Sequence, residues 1–303
     1  MKLKNKKFKI TNELVFYCTM LAIPIFMFVV LNIVINIEYL LLSFREYNPL
    51  NNTYSWVGFD NFTRVIRQFS LEESTLRTAF YNSLELFAWK TFLGTPLAIL
   101  FAYYIARKRT FSGFFQILLF LPTIISSMVM VFLYSYFMDT VIPQIMLKMF
   151  GKEMFPPVGD IKTQWSMIIL YNIVFSFGGN MLIFIGSITS ISDEIIESAQ
   201  LDGASPIKEL IFIVCPLIFP TITTFVVVRI ASMFADNASL YSFFGSGATH
   251  QTIGYNIYKN IMDGTASLAD YPNLSSIGIL FSVIIIPITL VIRKLLEKVG
   301  TVE

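Results

Sequence analysis

Asp193-Glu194-Ile195-Ile196-Glu197-Ser198-Ala199-Gln200-Leu201-Asp202-Gly203-Ala204-Ser205-Pro206 is a polar, helix-prone segment with a glycine break, lodged between two long apolar runs. Ser192 stands where a helix N-cap would, and Asp193 and Glu194 fall against the positive end of the helix dipole. Ile195, Ile196, Ala199 and Leu201 offer one apolar flank. Gly203 can take the left-handed angle that ends a helix, and Ser205-Pro206 opens the next one. The spacing predicts a short helix, a sharp turn and a return into an apolar run. An element so small, stiff and protruding suits insertion into a groove of another protein.

The runs on either side decide the class. Of the 303 residues 55% are hydrophobic and only 14% charged, whereas soluble domains carry about 25% charged residues. Mean hydropathy is +0.67. Six spans are expected, at roughly 14–37, 78–106, 112–138, 165–189, 209–235 and 275–296, each long enough for the ~20 residues that cross a hydrocarbon core. A backbone with no water to bond must bond itself, so continuous apolar runs read as helices rather than barrel strands. Lys90, Gly94 and Pro96 interrupt the second.

Lys2, Lys4, Lys6, Lys7 and Lys9 precede the first span, Arg107, Lys108 and Arg109 follow the second, and Arg293, Lys294 and Lys298 end the last. Positive charge stays inside, so all three clusters predict one topology. Both termini and the 190–208 segment are cytoplasmic in it, and loops near 38–77, 139–164 and 236–274 face out. The first span is too long for a signal peptide and lacks a small-residue cleavage site, so it reads as a retained anchor. Cys18 and Cys215 both fall near the reducing inner face, where a disulfide is not expected. Asn48-Pro49 and Asn51-Asn52 signal a turn, and residues 60–76 read as a surface helix or a solvated connector. The chain divides into residues 1–76, which hold the tail, anchor and first outer loop, and a five-helix core over 77–303.

Enzyme chemistry finds no footing. With a single histidine, His250, and no cysteine near it, metal sites of the paired-ligand kind are excluded. No phosphate-cradling G-x-x-x-x-G-K-[ST] and no G-x-S-x-G elbow occur. Gly245-Ser246-Gly247-Ala248-Thr249 reads as an outer loop.

Glu197, Ala199, Gly203, Ile213 and Pro216 sit at the spacing of the EAA motif, and the chain thereby resembles the permease subunits of binding-protein-dependent ABC importers. Asp193-Glu194-Ile195-Ile196-Glu197, Leu201-Asp202-Gly203-Ala204, Gly58-Phe59-Asp60-Asn61-Phe62 and Leu42-Ser43-Phe44 resemble the carbohydrate-type branch, that of the maltose and glycerol-phosphate permeases. Ser198 stands in place of the usual second alanine and Cys215 in place of the usual leucine, both small changes of volume. The resemblance implies an all-α membrane protein of six helices, with the type I importer permease fold and a cytoplasmic coupling helix. It implies that Glu197, Ser198, Ala199, Asp202, Gly203, Ala204 and Pro206 dock on a cytoplasmic ABC ATPase dimer, which binds ATP and magnesium in place of any cofactor here. It also implies a second, homologous permease and an extracytoplasmic solute-binding protein, in a bacterial inner membrane. No nucleic-acid partner is expected.

Polar groups within a bilayer are costly and commonly face a cavity. Before the coupling segment Asn172, Ser176 and Gly179 recur at helical spacing beside Asn180; after it Arg229, Ser232 and Asp236 do so beside Asn237. Both stripes can line one solute path, with Tyr134, Tyr136 and Phe175 stacking on sugar rings. They can equally knit helices together. Arg229 can pair with Asp236 two turns on; facing the path unpaired, it would suit an acidic sugar. Lys90 and Glu85 have no evident place. The leading expectation is import of an oligosaccharide or related glycoside by alternating access. An ion-coupled secondary transporter is the alternative, and it would want paired carboxylates or broken helices in two related halves.

Overall fold

A computed structural model of the chain describes residues 12–72, 74–264 and 267–300. The lysines expected to mark the N-terminus, at 2, 4, 6, 7 and 9, lie outside the described residues, as do the side chains of Cys18 and Ser176.

In chain order, α1 (Thr19–Leu42) leads into a hairpin of β1 (Arg45–Asn48) and β2 (Thr53–Trp56), then α2 (Asp60–Ser70). Next come α3 (Thr75–Ala106), α4 (Ser112–Ile124), α5 (Ser127–Phe150) and α6 (Ile161–Thr189). The quoted segment forms α7 (Asp193–Leu201), followed by α8 (Pro206–Leu217) and α9 (Phe219–Ser232). Short α10 (Leu240–Phe244) and α11 (Ile253–Met262) precede the last helix, α12 (Tyr271–Gly300). Helices α1, α3, α5, α6 and α12 are long and apolar enough to cross a membrane, and α8 with α9 makes a sixth span if the bent pair counts as one. The protein is a multi-pass helical membrane protein.

Two expected spans are not continuous. The run at 112–138 breaks after Ile124, because Ile125 and Ser126 take extended backbone angles, ψ 142° and 135°. Pro122 has no N–H to give the preceding turn and crowds it, which weakens the helix just there. Helix α5 then runs on to Phe150, through residues expected to be loop. Its one acid is satisfied, since the Val158 backbone N–H donates to Asp139 Oδ1 at 2.7 Å. The run at 209–235 bends by 72° between α8 and α9. Pro216 and Pro220 flank the bend, and Ile218 leaves helical geometry at ψ 7°.

Prolines also explain three wide turns. At Lys90–Gly94, Phe137–Val141 and Leu210–Val214 the helix loosens to π geometry. In each, the residue just before a proline reaches back five positions: Thr95 N–H to Lys90 O, Ile142 N–H to Phe137 O, Cys215 N–H to Leu210 O. Widening the turn takes the proline ring off the carbonyl four residues back, so the helix bulges rather than breaks. A fourth π turn, Val29–Val34, has no proline after it, and we have no physical account of it.

The chain forms two compact units. The first takes the residues up to Val65 with Ser267–Leu280. In it the hairpin pairs Arg45 with Trp56 and Asn48 with Thr53, and Asn52 holds the turn at φ 52°. Gly58 at φ +60° starts α2, which buries Asn61 so that its amide donates to Ser43 O at 2.9 Å and Arg45 O at 2.7 Å. Phe44 packs against Trp56, Phe59 and Phe62. The Gly58–Phe62 string is therefore a clasp that ties a helix start to a strand.

The second unit runs from Ile66 and takes in Phe281 onward. Its core lies between α3 and α6: Ala98 and Ala102 are fully buried beside Met181, Phe184 and Ile188. Small residues one turn apart let helix backbones approach, which in lipid replaces the hydrophobic drive. Gly178 does the same toward α4, where a Cβ would meet Leu119 O at 2.3 Å.

Candidate functional site

Helix α7 is a built protrusion. Ser192 takes the extended N-cap backbone, but its side chain makes no capping bond. The acidic first turn of Asp193 and Glu194 is left to oppose the dipole. The far end closes as the glycine predicts: Gly203 sits at φ +81°, and the Ala204 N–H returns to Ala199 O at 3.0 Å. Ser205 then caps α8, its Oγ accepting from Lys208 N–H. Ile196 is buried in the core that α3 and α6 share, and Ala199 is buried as well. Glu197, Ser198, Asp202, Gly203 and Pro206 are exposed, and Ala204 is half-buried. Leu201 is 88% exposed, so the expected apolar flank splits between an anchor and a bare tip.

The base of this element holds a buried ion pair that sequence spacing does not reveal. Glu209, 1% exposed, meets Arg107 with Nε–Oε1 at 2.8 Å. Gln200 of α7 donates to the other oxygen of Glu209 at 3.1 Å, and the guanidinium stands 5.6 Å from the centre of the Tyr103 ring. The end of α3, helix α7 and the start of α8 are thus fastened at one carboxylate. A charge at the mouth of an apolar run was the available signal.

The second place is a cavity of about 240 Å³ in the same unit. Its polar wall is Ser83, Lys90, Asn180, Arg229, Ser232 and Asp236, and Leu86, Phe87, Phe225, Val228 and Met233 supply apolar surface. Four of the residues expected on a solute path therefore line one space. Lys90, which had no place in the sequence reading, lines it with them. It opens a π turn of α3, an irregularity frequent at functional sites.

Asp236 pairs with Lys90, Nζ to Oδ2 at 2.6 Å, and not with Arg229. The two-turn spacing yields no ion pair because α9 ends at Ser232 and Asp236 leaves helical register. Both side chains nonetheless line the same cavity, and Asp236 still acts on Arg229 through its charge. Its Oδ1 accepts from Ala238 N–H at 2.9 Å and its backbone oxygen from Thr252 Oγ1. Arg229 Nε is buried with no hydrogen-bond partner among the described residues.

The other expected path residues sit elsewhere. Asn172 is buried and knits: its amide donates to Ile168 O and Ala238 O, and its oxygen faces Lys90 Nζ at 3.4 Å. Tyr134 donates to Met167 O at 2.8 Å and joins Phe175, Tyr171 and Phe243 in an aromatic cluster. Asn237 accepts from Ser239 N–H in a local turn, and Gly179 is exposed beside Thr123. Glu85 accepts from Trp165 Nε1 at 2.8 Å, and Trp165 stacks on His250. Cys215 is a half-buried free thiol.

A family model described as the binding-protein-dependent transport system inner membrane component matches residues 94–299. The arabinooligosaccharides transport system permease protein AraP of Bacillus subtilis is 24% identical over 269 residues, covering 86% of this chain and 81% of the relative. The sn-glycerol-3-phosphate transport system permease protein UgpA of Escherichia coli is 24% identical over 263 residues, covering 86% and 87%. A bacterial ABC transporter involved in the import of the acidic polysaccharide alginate matches in fold, with TM-score 0.73 at 22% identity over 95% of this chain and 96% of that one. A match over more than half its length decides the matter: the chain belongs to the binding-protein-dependent transport system inner membrane components.

Proposed function

We propose that this subunit carries a sugar, an oligosaccharide or a related glycoside inward across the bacterial plasma membrane, by alternating access driven by a separate ATPase. The observation that carries the reading is the construction of α7. Ile196 and Ala199 anchor it, Glu209 fastens its base, and Glu197, Ser198, Asp202 and Gly203 stand free to be gripped. A rod anchored at its root and bare at its tip passes on a push from a partner. The relatives named for arabinooligosaccharides and for glycerol phosphate support a hydroxyl-rich solute.

In this reading the basic clusters put α7 and both termini in the cytoplasm, where an ABC ATPase dimer docks. A second permease completes the path, and a solute-binding protein delivers to the outer face; residues 77–303 form the moving core. Glu197→Lys and Gly203→Pro are each expected to abolish ATP-dependent uptake while membrane insertion is retained. Normal uptake by either variant sinks the docking role. Uptake into vesicles driven by an ion gradient without ATP would favour the secondary-transporter alternative instead.

A further inference from the structure

The cavity of α3, α6 and α9 holds three charged side chains: Lys90, Arg229 and Asp236. Asp236 is engaged through both oxygens. One oxygen holds Lys90 at 2.6 Å and the other holds Ala238 N–H at 2.9 Å. Arg229 feels the charge of Asp236 but makes no ion pair with it. Among the described residues no carboxylate lies within 4.0 Å of it, and its Nε is buried without a hydrogen-bond partner. The sum in the cavity is two cations and one anion, hence one positive charge. A cation in membrane protein interior carries a heavy desolvation cost unless something meets it, and the guanidinium fork matches a carboxylate in two parallel bonds.

We propose that Arg229 receives the carboxylate of an acidic sugar, so that the solute is a uronate glycoside rather than a neutral one. The inference rests on the transport reading above and narrows it. One carboxylate balances the single excess charge; a phosphate monoester, at about −1.5 to −2 near neutral pH, overshoots it. The neighbouring groups suit the remainder of a sugar. Asn180 offers an amide to hydroxyls, while Phe87 and Phe225 offer ring faces to the apolar side of a pyranose. At about 240 Å³ the space is under the roughly 300–1,000 Å³ that encloses a drug-sized ligand, so it takes one sugar unit of a longer chain.

The test is equilibrium binding to the purified complete transporter in lipid nanodiscs. The probes are digalacturonate, the neutral digalactose of the same linkage, and galactose 6-phosphate. Wild type is expected to bind digalacturonate at least tenfold tighter than digalactose. Arg229→Gln is expected to erase that preference, and Arg229→Lys, which keeps the charge but not the fork, to restore part of it. Gel-filtration profiles of both variants check that each assembles. Equal binding of the two disaccharides by wild type, no binding of digalacturonate, a preference that survives Arg229→Gln, or tighter binding of the sugar phosphate would each overturn the inference. The transport reading is scored separately: ATP-dependent uptake of a neutral glycan, lost in Glu197→Lys, would uphold it while the carboxylate assignment fell.

Discussion

Glu209 shows how a single residue is made tolerable by its surroundings. A carboxylate almost wholly removed from solvent stands because Arg107 and Gln200 meet its two oxygens. Breaking a buried pair costs more than the pair contributes, since the survivor keeps its desolvation penalty. Arg107→Leu is therefore expected to destabilise the protein by about 3–5 kcal/mol, and Arg107→Leu with Glu209→Leu to recover most of that. Thermal unfolding of the detergent-purified subunit checks this, and a double variant no more stable than the single would refute it. Asn61 plays the same part in the other unit. Asn61→Leu takes a donor from Arg45 O and leaves Ser43 O to Ser276 Oγ alone; at about 1–3 kcal/mol for a group left unsatisfied, it should loosen the 43–62 clasp to limited proteolysis.

At the scale of elements, helices meet where side chains are smallest. Gly178 has no room for a methyl group against Leu119 O, whereas Gly186, two turns further along α6, has open space around it. Gly178→Ala should force α4 away from α6 and lower the unfolding midpoint. Gly186→Ala should leave it unchanged or raise it, since alanine is better than glycine in a helix interior by about 0.5–1 kcal/mol. The reverse ranking would show that the α4–α6 approach is not what Gly178 secures. Both breaks in the expected spans follow from proline, and the three wide turns do too. Which outcome each proline produces depends on neighbours: Pro216 widens a turn behind it while the chain bends ahead of it at Ile218.

For the molecule as a whole, charge in the cavity is a shared quantity. Lys90→Met removes one cation and frees Asp236 to turn on Arg229. We predict that it weakens digalacturonate binding at least as much as Arg229→Gln; full retention of binding would mean that Lys90 does not hold Asp236 aside. The sequence by itself determined the membrane class, the helical content and the short helix ended by Gly203, because these depend on local composition, backbone hydrogen bonding and one residue's freedom at positive φ. It also marked Arg229, Ser232, Asp236 and Asn180 as polar groups in apolar runs. Spacing then misread the partner of Asp236, since periodicity holds only while a helix continues and α9 stops first. Pairing Lys90 with Asp236 across 146 residues, and Arg107 with Glu209, was left to tertiary structure. Such contacts depend on which faces the packed helices turn toward each other, a choice made by the whole core and by no single stretch of it.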